Sequence, residues 1–288
     1  GIAILNWNGV DLLKSHLKGV VDKSQDSTIY IIDNNSDDDS LEFVKQNFPQ
    51  VKLISLDKNY GFAEGYNIGL KHVNEDIICI INNDIEVSDK WLDPIKRKLK
   101  EKGNCIIQPN IMDFNNREYY EYAGASGGFI DKFGYPFCRG RIFYTLEKNT
   151  NQYSDDKIFW ASGACMIIPK RTFYELGGFD KSFFAHMEEI DLCWRAFNKG
   201  IKCFSSTDSV VYHVGAATLK ENPNKNYLNY RNSLIMLTKN LPLNSLLYVL
   251  FIRIILDMIS FIRYLIVGRI DLSLSIIKAH LSYFNHAN

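Results

Sequence analysis

Residues 77–87, with the sequence IICIINNDIEV, decide the fold class of this chain. Five apolar residues, Ile77–Ile81, run without alternation and are followed at once by Asn82, Asn83 and Asp84. An unbroken apolar run of this length is typical of a strand that is buried on both faces of a parallel sheet. The polar residues after it therefore mark the carboxyl end of a strand.

The same pattern occurs twice more near the N-terminus, in IAILNWNG at 2–9 and in IYIIDNNSDD at 29–38. Two further strands are predicted at Val51–Leu56 and Cys105–Gln108. Helices are predicted between the strands, at Val10–Val21, Ser40–Asn47, Phe62–Val73 and Trp91–Lys100. This alternation predicts a doubly wound α/β fold, with a mostly parallel sheet and helices on both faces. Such sheets bind their ligand at the carboxyl ends of the strands.

The composition excludes several classes of protein. Among 288 residues there are 33 Lys and Arg and 33 Asp and Glu, so the formal net charge is zero. A nucleic-acid-binding protein usually carries a basic excess, and we expect no nucleic-acid partner. The six cysteines are scattered without a CxxC pair, which favours a reducing, cytoplasmic compartment over a disulfide framework or zinc site. The sequence opens without Met or a signal peptide, and we interpret its N-terminus as trimmed.

The remainder of the chain changes pattern twice. Residues 110–157 are rich in Gly, Tyr, Phe and Asn without a clear period, which predicts irregular structure with one or two hairpins. Order resumes in 158–169, and further elements are predicted at Lys170–Leu176, Glu188–Asn198, Lys202–Ser205 and Ser209–His213. We predict one domain over 1–225, with halves 1–109 and 110–225, and a helical segment over 226–288.

The helical segment contains the most apolar stretch of the chain, Leu241–Val267. Three charged residues, Arg253, Asp257 and Arg263, interrupt it, which argues against a helix that spans a membrane. Two interpretations stay open. The first places the helix in a membrane interface with its arginines at headgroup level. The inserted side chains would then be Tyr248, Phe251, Phe261 and Tyr264. The second is a helical hairpin packed on the domain or on a second subunit in a homodimer.

Glycine-rich phosphate-binding loops are missing from the sequence. The first predicted strand ends in Asn6-Trp7-Asn8-Gly9 rather than in GxGxxG, and there is no GxxxxGK[ST] run. A phosphate group would therefore need a divalent cation. Asp84 is the candidate ligand by its position, and oxygen ligands suit Mg²⁺ or Mn²⁺. His213 closes a later apolar run and is either structural or a second ligand, which would favour Mn²⁺.

The densest acidic cluster is Glu188-Glu189-Ile190-Asp191, at the start of a predicted helix. On a helix, Glu188 and Asp191 lie close together and Glu189 points about 100° away. The pair is suited to positioning, to the fold or to the helix dipole. Glu189 is left free to face the cleft, where a carboxylate can act as general base on a hydroxyl group.

Taken together, seven stretches make the chain resemble a family-two glycosyltransferase of the GT-A fold, especially the rhamnosyltransferase-like branch. The stretches are ILNWNG (4–9), IIDNNSDD (31–38), NYGFAEGYNIG (59–69), INNDIEV (81–87), ASGACMIIPK (161–170), GGFDKSFFAHMEEIDLCWR (177–195) and VVYHVGAAT (210–218). They occur in that family's order, and with YRN at 230–232 they extend the resemblance from Gly1 to about Lys239. The chain departs from the family pattern at Asn82, where the metal-binding Asp-x-Asp element begins with Asp, and at Glu189, where Asp is common.

The resemblance implies a role for each candidate residue. Asp84 and His213 would bind Mn²⁺ or Mg²⁺, and Glu189 would be the catalytic base. The half 1–109 would bind the nucleotide, through Asn6, Trp7, Asn8, Asp33, Asn35, Asn59, Gly61, Phe62, Asn67 and Asn83, with Arg231 added from the helical segment. The half 110–225 would bind the acceptor or sugar, through Trp160, Ser162, Gly163, Ala164 and Glu188.

The implied reaction is the transfer of a sugar, with inversion, from a nucleoside-diphosphate sugar to an acceptor hydroxyl. The branch favours dTDP-rhamnose as donor, ahead of UDP-linked sugars. The implied acceptor is a cell-surface glycan or lipid-linked glycan, elongated at the inner face of the cell membrane. Two other functions stay open: a non-catalytic nucleotide-sugar- or glycan-binding protein, and a nucleotidylyltransferase, which would need the missing basic glycine-rich loop.

Overall fold

The computed structural model describes residues 1–143, 145–215 and 222–286 of the chain. Residues 216–218 of the VVYHVGAAT stretch therefore lie outside the described residues. As predicted, strands and helices alternate in the N-terminal part. Its strands are β1 (Ile2–Asn6), β2 (Ile29–Asp33), β3 (Lys52–Ser55), β4 (Ile77–Asn82), β5 (Ile85–Val87) and β6 (Cys105–Asp113). Its helices are α1 (Val10–Lys23), α2 (Ser40–Asn47), α3 (Gly61–Gly69) and α4 (Leu92–Lys102).

The second part of the chain contributes two short hairpins, three strands of the main sheet and five helices among the described residues. The strands are β7 (Gly128–Ile130), β8 (Pro136–Cys138), β9 (Arg141–Ile142), β10 (Thr145–Leu146), β11 (Lys157–Ile158), β12 (Cys165–Pro169) and β13 (Lys202–His213). The helices are α5 (Lys170–Glu175), α6 (Glu188–Asn198), α7 (Pro223–Asn240), α8 (Leu243–Ile266) and α9 (Ile270–His286). The pairs β7–β8 and β9–β10 are antiparallel hairpins apart from the main sheet.

The main sheet, over the described residues, has the order β11-β13-β6-β12-β4-β1-β2-β3, with β5 paired to β13. Strands β4, β1, β2 and β3 pair in parallel, as β13 and β6 do. Strand β12 is antiparallel to both of its neighbours, β4 and β6. The sheet is therefore mixed, because β12 joins two parallel groups into one layer. The predicted boundary at 109/110 falls within β6, and the one at 225/226 falls within α7.

Sheet register places the strand ends that carry polar residues at one edge. Asn6 at the end of β1 pairs with Asp33 at the end of β2. On the other side of β1, Leu5 pairs with Asn82 at the end of β4. The three polar turns recognised in the sequence therefore meet, as the carboxyl ends of parallel strands do.

Helices cover both faces of the sheet because successive strand residues point in opposite directions. In β1, Ala3 belongs to the core on one face, which contains Tyr66 of α3. Ile2 and Ile4 belong to the core on the other face, which contains Leu13 of α1. Almost every residue of β1, β2 and β4 is buried, which accounts for their unbroken apolar sequences.

One sequence-based assignment is wrong in detail. The two strands predicted at 202–205 and 209–213 form a single strand, β13, paired with β6 along its length. Its register shifts between Ser206 and Val210. A β-bulge of this kind adds polar residues inside a strand without ending it, so the sequence resembles a turn.

The C-terminal helices pack as a unit against the domain. Arg253 and Asp257 of α8 are buried, and Asp257 lies 3.1 Å from Nε2 of His280 on α9. Tyr135 donates a hydrogen bond to Asp257 at 3.2 Å, and the Arg253 guanidinium stacks 3.7 Å above the Tyr135 ring. Two of the three charges that interrupt the apolar stretch therefore face inward and fix α8 to the turn before β8.

The opposite face of α8 is apolar and exposed. Side chains at helical spacing on this face, which we call the α8 face, are more than two-fifths exposed: Leu243, Leu247, Tyr248, Phe251, Ile255, Ile259 and Ile262. By length and composition alone, Leu243–Ile266 is a helix that could cross a membrane. Among the charges of α8, only Arg263 is exposed.

Candidate active site

The ends of β1 and β2 form a polar pocket around Asn6 and Asp33, both of which are buried. The hydroxyl of Ser36 accepts hydrogen bonds from Asn6 Nδ2 at 3.3 Å and from Asn8 N at 3.0 Å, and Ser36 N donates to Asp33 Oδ2 at 3.1 Å. The other carboxylate oxygen, Asp33 Oδ1, is buried without a hydrogen-bond partner. A buried unpaired acceptor is costly unless a ligand donates to it. This arrangement fits the predicted contact between Asp33 and the nucleotide.

The neighbouring predicted residues complete the rim of this pocket. Asn83 donates to Asn6 Oδ1 at 2.9 Å, which links the end of β4 to the end of β1. Trp7 is 54% exposed, more than is usual for a Trp side chain. Asn8 and Asn35 adopt left-handed backbone conformations, with φ of 49° and 62°. Asn tolerates this conformation better than most residues.

A second loop borders the pocket, and Asn34 holds it in place. Asn34 Nδ2 donates to Asn59 Oδ1 and to the carbonyl of Gly61, both at 3.0 Å, and its Oδ1 accepts from Tyr60 N at 2.9 Å. Gly61 has φ of 73°, and a Cβ there would lie 2.7 Å from the Phe184 ring. The predicted residues Asn59, Gly61 and Phe62 therefore lie on a loop and the first turn of α3, whose position depends on Asn34.

Two predicted nucleotide-side residues have all of their described contacts elsewhere. Asn67 exchanges two hydrogen bonds with the backbone of Phe179, at 2.7 and 2.9 Å. Arg231 donates to the carbonyls of Ser182 and Phe183 at 2.8 and 3.2 Å. Both side chains brace the segment that leads into α6. A direct role for either with the nucleotide stays a prediction.

Asp84 and His213 meet beyond the end of β4. Asp84 Oδ1 lies 3.1 Å from His213 Nε2, yet this buried oxygen has no aligned hydrogen bond. Asn82 Nδ2 lies 3.4 Å from the same ring nitrogen. On the far side of the ring, His213 Nδ1 is 3.3 Å from Oε1 of Glu121, and both residues are about 5% exposed. The imidazole is therefore held between two carboxylates.

This geometry fits a divalent cation. Two ligand atoms that each lie about 2.1 Å from an octahedral ion are about 3 Å apart, close to the Asp84–His213 separation. The donor set is one carboxylate oxygen and one imidazole nitrogen, which suits Mn²⁺ and also Mg²⁺. Glu121 stands where a carboxylate usually orients a metal-binding histidine and fixes its tautomer. Within the described residues, no cluster of three His, Cys, Asp or Glu side chains has full metal-site geometry.

Charges around His213 are coupled. Burial alone would raise the pKa of Asp84, but the contact with His213 and hydrogen bonds from backbone N–H groups together outweigh burial and lower it. Burial alone would lower the pKa of His213, but Asp84 and Glu121 raise it to about 10. The imidazole thus carries a proton between its two carboxylates. Binding of a cation requires the neutral imidazole, so the cation would replace that proton.

Helix α6 supplies the acidic cluster. Asp191 is fully buried and binds Arg195, Lys239 and Asn240, so it serves the fold, one of the roles left open for it. Burial raises the pKa of Glu189 to about 7, and its Oε2 is buried without a partner. Burial, followed by the charge of Glu189, raises the pKa of Glu188 well above its ordinary value. Of the two adjacent carboxyl groups, Glu189 is therefore the one that ionises near neutral pH.

The segment 160–164 connects α6 to the strand ends. Trp160 is buried and donates from Nε1 to the carbonyl of Phe129 at 2.7 Å. The Ser162 hydroxyl donates to the carbonyl of Ala123 at 3.0 Å. Gly163 lies beside Glu189, because a Cβ on Gly163 would be 3.8 Å from the Glu189 Cβ and 3.3 Å from the Phe62 ring.

The same segment continues to Asp84 and His213, which we call the metal-fitting pair. The carbonyl of Ala164 accepts from Asn82 N at 3.0 Å. Asn82 in turn contacts His213, two residues before Asp84. A continuous wall therefore runs from Glu189 through Gly163 and Ala164 to Asp84 and His213. The catalytic and metal residues predicted from the sequence come together at one edge of the sheet.

Sequence reasoning missed Glu121 and Asn34. Glu121 stands in the aperiodic stretch YYEYAGASGG, where nothing distinguishes it from a surface carboxylate. Asn34 stands inside DNNS, where a turn explains any Asn. Only the fold shows that Glu121 contacts His213 and that Asn34 supports the loop at Asn59.

A mixed α/β sheet with polar side chains gathered at the carboxyl ends of its strands is the arrangement in which such folds bind their ligands. The family model described as "Glycosyl transferase family 2" matches residues 2–177. The chain belongs to glycosyl transferase family 2, and its fold is the GT-A fold.

Similar proteins agree with this assignment. The low-salt glycan biosynthesis hexosyltransferase Agl10 of Haloferax volcanii is 22% identical over 241 residues, which cover 80% of this chain and 73% of that protein. The rhamnosyltransferase WbbL of Escherichia coli is 24% identical over 208 residues, covering 70% and 78%. The crystal structure of GalNAc-T7 with UDP, GalNAc and Mn²⁺ superposes with a TM-score of 0.61 at 18% identity, over 74% of this chain but 42% of that one. That last likeness concerns the fold alone.

Proposed function

We propose that this chain is an inverting glycosyltransferase that moves a sugar from a nucleoside-diphosphate sugar to an acceptor hydroxyl during synthesis of a cell-surface polysaccharide. The observation that carries the proposal is the wall that links Glu189, through Gly163 and Ala164, to Asp84 and His213. The general base Glu189 and a site for the leaving diphosphate lie there at one edge of the sheet. The pocket for the nucleotide base is next to them.

The nucleotide side of the mechanism follows from the pocket. Asp33 Oδ1 accepts a hydrogen bond from the nucleotide base. Asn6, Asn8 and Asn83 stabilise the shape of the pocket. A divalent cation bound by Asp84 and His213 would neutralise the charge that develops on the departing diphosphate. Glu121 orients the imidazole for this ligation. These groups are fixed before the donor binds, so little reorganisation is needed in the reaction.

Glu189 acts on the acceptor. Its carboxylate accepts the proton of the acceptor hydroxyl as the oxygen attacks the anomeric carbon from the side opposite the diphosphate. Holding donor and acceptor in this alignment accounts for a large part of the acceleration. Glu188 stays protonated next to it, since a second charge in the same buried place would be unfavourable. Two adjacent carboxyl groups are thus pushed to different protonation states.

The names of the relatives support a specific donor for this chain. Because relatives such as WbbL carry the name rhamnosyltransferase, dTDP-rhamnose is the donor we propose first, with UDP-linked sugars next. We propose a glycan or lipid-linked glycan as the acceptor. The chain would act in the cytoplasm at the inner face of the membrane, where the α8 face contacts lipid.

The replacement Glu189→Gln tests the proposal, because it keeps the shape of the side chain and removes its basicity. We expect sugar transfer to fall by about 10²–10⁴-fold, the range for loss of a general base, while donor binding with Mn²⁺ stays within twofold in calorimetry. The control is Glu175→Gln, an exposed carboxylate paired with Arg171, which should leave both unchanged. Normal transfer by Glu189→Gln would exclude the base role. A wild-type chain that binds donors yet neither transfers nor hydrolyses them would be a binding protein instead.

A further inference from the structure

A groove of about 520 Å³ lies between the hairpin β7–β8 and strand β9, outside the site described above. Its lining includes Tyr122, Tyr135, Phe137, Cys138, Arg141 and Ile142. Pockets of this size accommodate a small ligand or part of a larger one. The walls are mainly aromatic and aliphatic. The groove therefore suits a ligand that is largely apolar.

One end of the groove adjoins the metal-fitting pair. Tyr122 stands between Glu121, whose carboxylate lies 3.3 Å from His213, and Ala123, whose carbonyl accepts a hydrogen bond from the Ser162 hydroxyl at 3.0 Å. Cys138 Sγ donates to the carbonyl of Tyr122 at 3.8 Å, which ties β8 to this end of the groove. A molecule in the groove would thus have one end within reach of the acceptor side of the catalytic site.

The groove carries a cation on an apolar wall. The Arg141 guanidinium stacks 3.9 Å above the Tyr122 ring. In the part of the chain that the structure describes, no carboxylate forms an ion pair with Arg141. The Asp131 carboxylate, which also lines the groove, instead accepts hydrogen bonds from the backbone of Phe133 and Tyr135 at 2.9 and 2.8 Å. Arg141 is therefore suited to bind a phosphate group, which guanidinium recognises through paired hydrogen bonds.

The other end of the groove opens toward apolar surface. Phe137, Ile142 and Phe143 at its lip are 50%, 63% and 85% exposed. Tyr135 in its wall binds Asp257 and Arg253, the inward side chains of α8. The groove thus leads from the catalytic edge to the helix whose outer side is the α8 face.

We propose that this groove is the subsite for the lipid diphosphate of the acceptor. Arg141 binds the diphosphate, and the aromatic walls and lip hold the first part of the hydrocarbon chain, which then runs along α8 to the membrane. The glycan end of the same molecule faces Glu189. This inference rests on the proposed function and names the chemical class of its acceptor.

The test uses the full chain with farnesyl diphosphate as a short lipid diphosphate. We expect calorimetric binding that Arg141→Gln weakens about tenfold, as loss of a charge-assisted hydrogen bond to phosphate does. Ile142→Ser removes apolar wall without touching the charge and should weaken binding too. The control Arg97→Gln alters an arginine that is 72% exposed and should have no effect.

A diazirine-bearing farnesyl diphosphate then locates the site by photo-crosslinking and peptide mass spectrometry. Adducts in 122 and 135–143 are expected. Adducts around Asn6 and Asp84 would mean that the probe occupies the nucleotide pocket, and would overturn the proposal. So would equal affinity of wild type and both groove variants. Donor-plus-Mn²⁺ binding and transfer to a water-soluble acceptor are measured in parallel, because their persistence would leave the proposed function intact while the groove assignment fails.

Discussion

At the scale of single residues, the proposed chemistry depends on two adjacent carboxyl groups, Glu188 and Glu189, having different surroundings. Glu188 and Glu189 are neighbours in sequence, and Glu189 lies beside Gly163 at the wall of the cleft. Burial raises the pKa of both carboxyl groups, and the charge of Glu189 raises that of Glu188 further. Environment, more than residue type, therefore decides which of the two carboxyl groups ionises near neutral pH and can serve as the proposed base.

This difference predicts a pH profile. A general base must be deprotonated, and a pKa of about 7 means that Glu189 gains its charge as the pH rises through neutrality. We expect kcat/KM for the donor to rise about tenfold per pH unit below 7 and to level off above it. Initial rates between pH 5 and 9 measure this. In Glu189→Asp the carboxylate is retracted, so the plateau should be lower, while a pH-independent rate in wild type would exclude titration of the base.

Asp84 predicts how the donor binds. Replacing Asp84 with Ala removes the only carboxylate ligand that we assign to the cation. We expect donor affinity with Mn²⁺ to fall by at least tenfold, since ligand loss in metal sites costs that order of affinity. Calorimetry with and without Mn²⁺ measures it. The exposed carboxylate Asp11 provides the control Asp11→Ala, and an unchanged Mn²⁺ effect in Asp84→Ala would remove Asp84 from the site.

Sequence patterns were sufficient for residues at strand ends and insufficient for residues in loops. Asp33 and Asp84 follow apolar runs, so strand geometry alone indicates their position. Glu121 approaches His213 because of a long irregular connection that has no period to interpret. Arg231 matched a family stretch, yet its described contacts brace the loop at Ser182 and Phe183. A resemblance to a family motif predicts where a residue lies in the motif, but not which groups its side chain contacts.

At the scale of elements, Gly128 determines how closely the hairpin β7–β8 packs against Trp160. The Gly128 and Trp160 backbones exchange hydrogen bonds at 3.1 Å, and the indole lies directly over the glycine. A Cβ on Gly128 would be 1.9 Å from the Trp160 ring. The hairpin can approach Trp160 only because residue 128 has no side chain.

Gly128→Ala is therefore expected to be destabilising. Overpacking of this kind costs about 1–3 kcal/mol, so the midpoint of thermal unfolding should fall by several degrees. Gly19→Ala is the control, because Gly19 lies in α1 with open space around it and should gain about 0.5–1 kcal/mol from helix propensity. Equal stability of wild type and Gly128→Ala would show that the indole can move aside.

Strand and helix identity in residues 1–109 could be predicted because each element has one clear period. The second part could not be predicted equally well. Strand β12 is antiparallel, a property that sequence does not reveal, since it depends on where the chain returns to the sheet. The bulge in β13 was interpreted as a turn because polar residues occur at the bulge, as they do in turns.

At the scale of the whole molecule, the C-terminal helices give the protein two unlike surfaces. The inward side of α8 holds Arg253 and Asp257, and the α8 face holds apolar side chains. Sequence showed the charges but not their direction, so it left open both a membrane-interface helix and a helical hairpin packed on the domain or on a second subunit. The structure shows that charges within an apolar stretch need not limit the apolar surface that it exposes.

The α8 face predicts membrane binding. Replacing Leu247 and Phe251 together with Ser should weaken co-sedimentation with phosphatidylglycerol vesicles at least tenfold, because each side chain loses roughly 1.5–3 kcal/mol of burial when fully inserted. Phe197→Ser is the control, since Phe197 is 61% exposed on α6. Unchanged sedimentation of the double variant, together with a concentration-dependent mass in light scattering, would identify the α8 face as a dimer contact instead.

Strand β12 has a consequence for the history of such enzymes. It pairs with β4 on one side and β6 on the other, so one hydrogen-bonded ladder spans both halves of the domain. Neither half is a module that recombination could exchange intact, because cutting between them would leave unpaired strand edges. New sugar or acceptor preferences would then arise by remodelling of the loops around an intact sheet, rather than by exchange of one half of the domain.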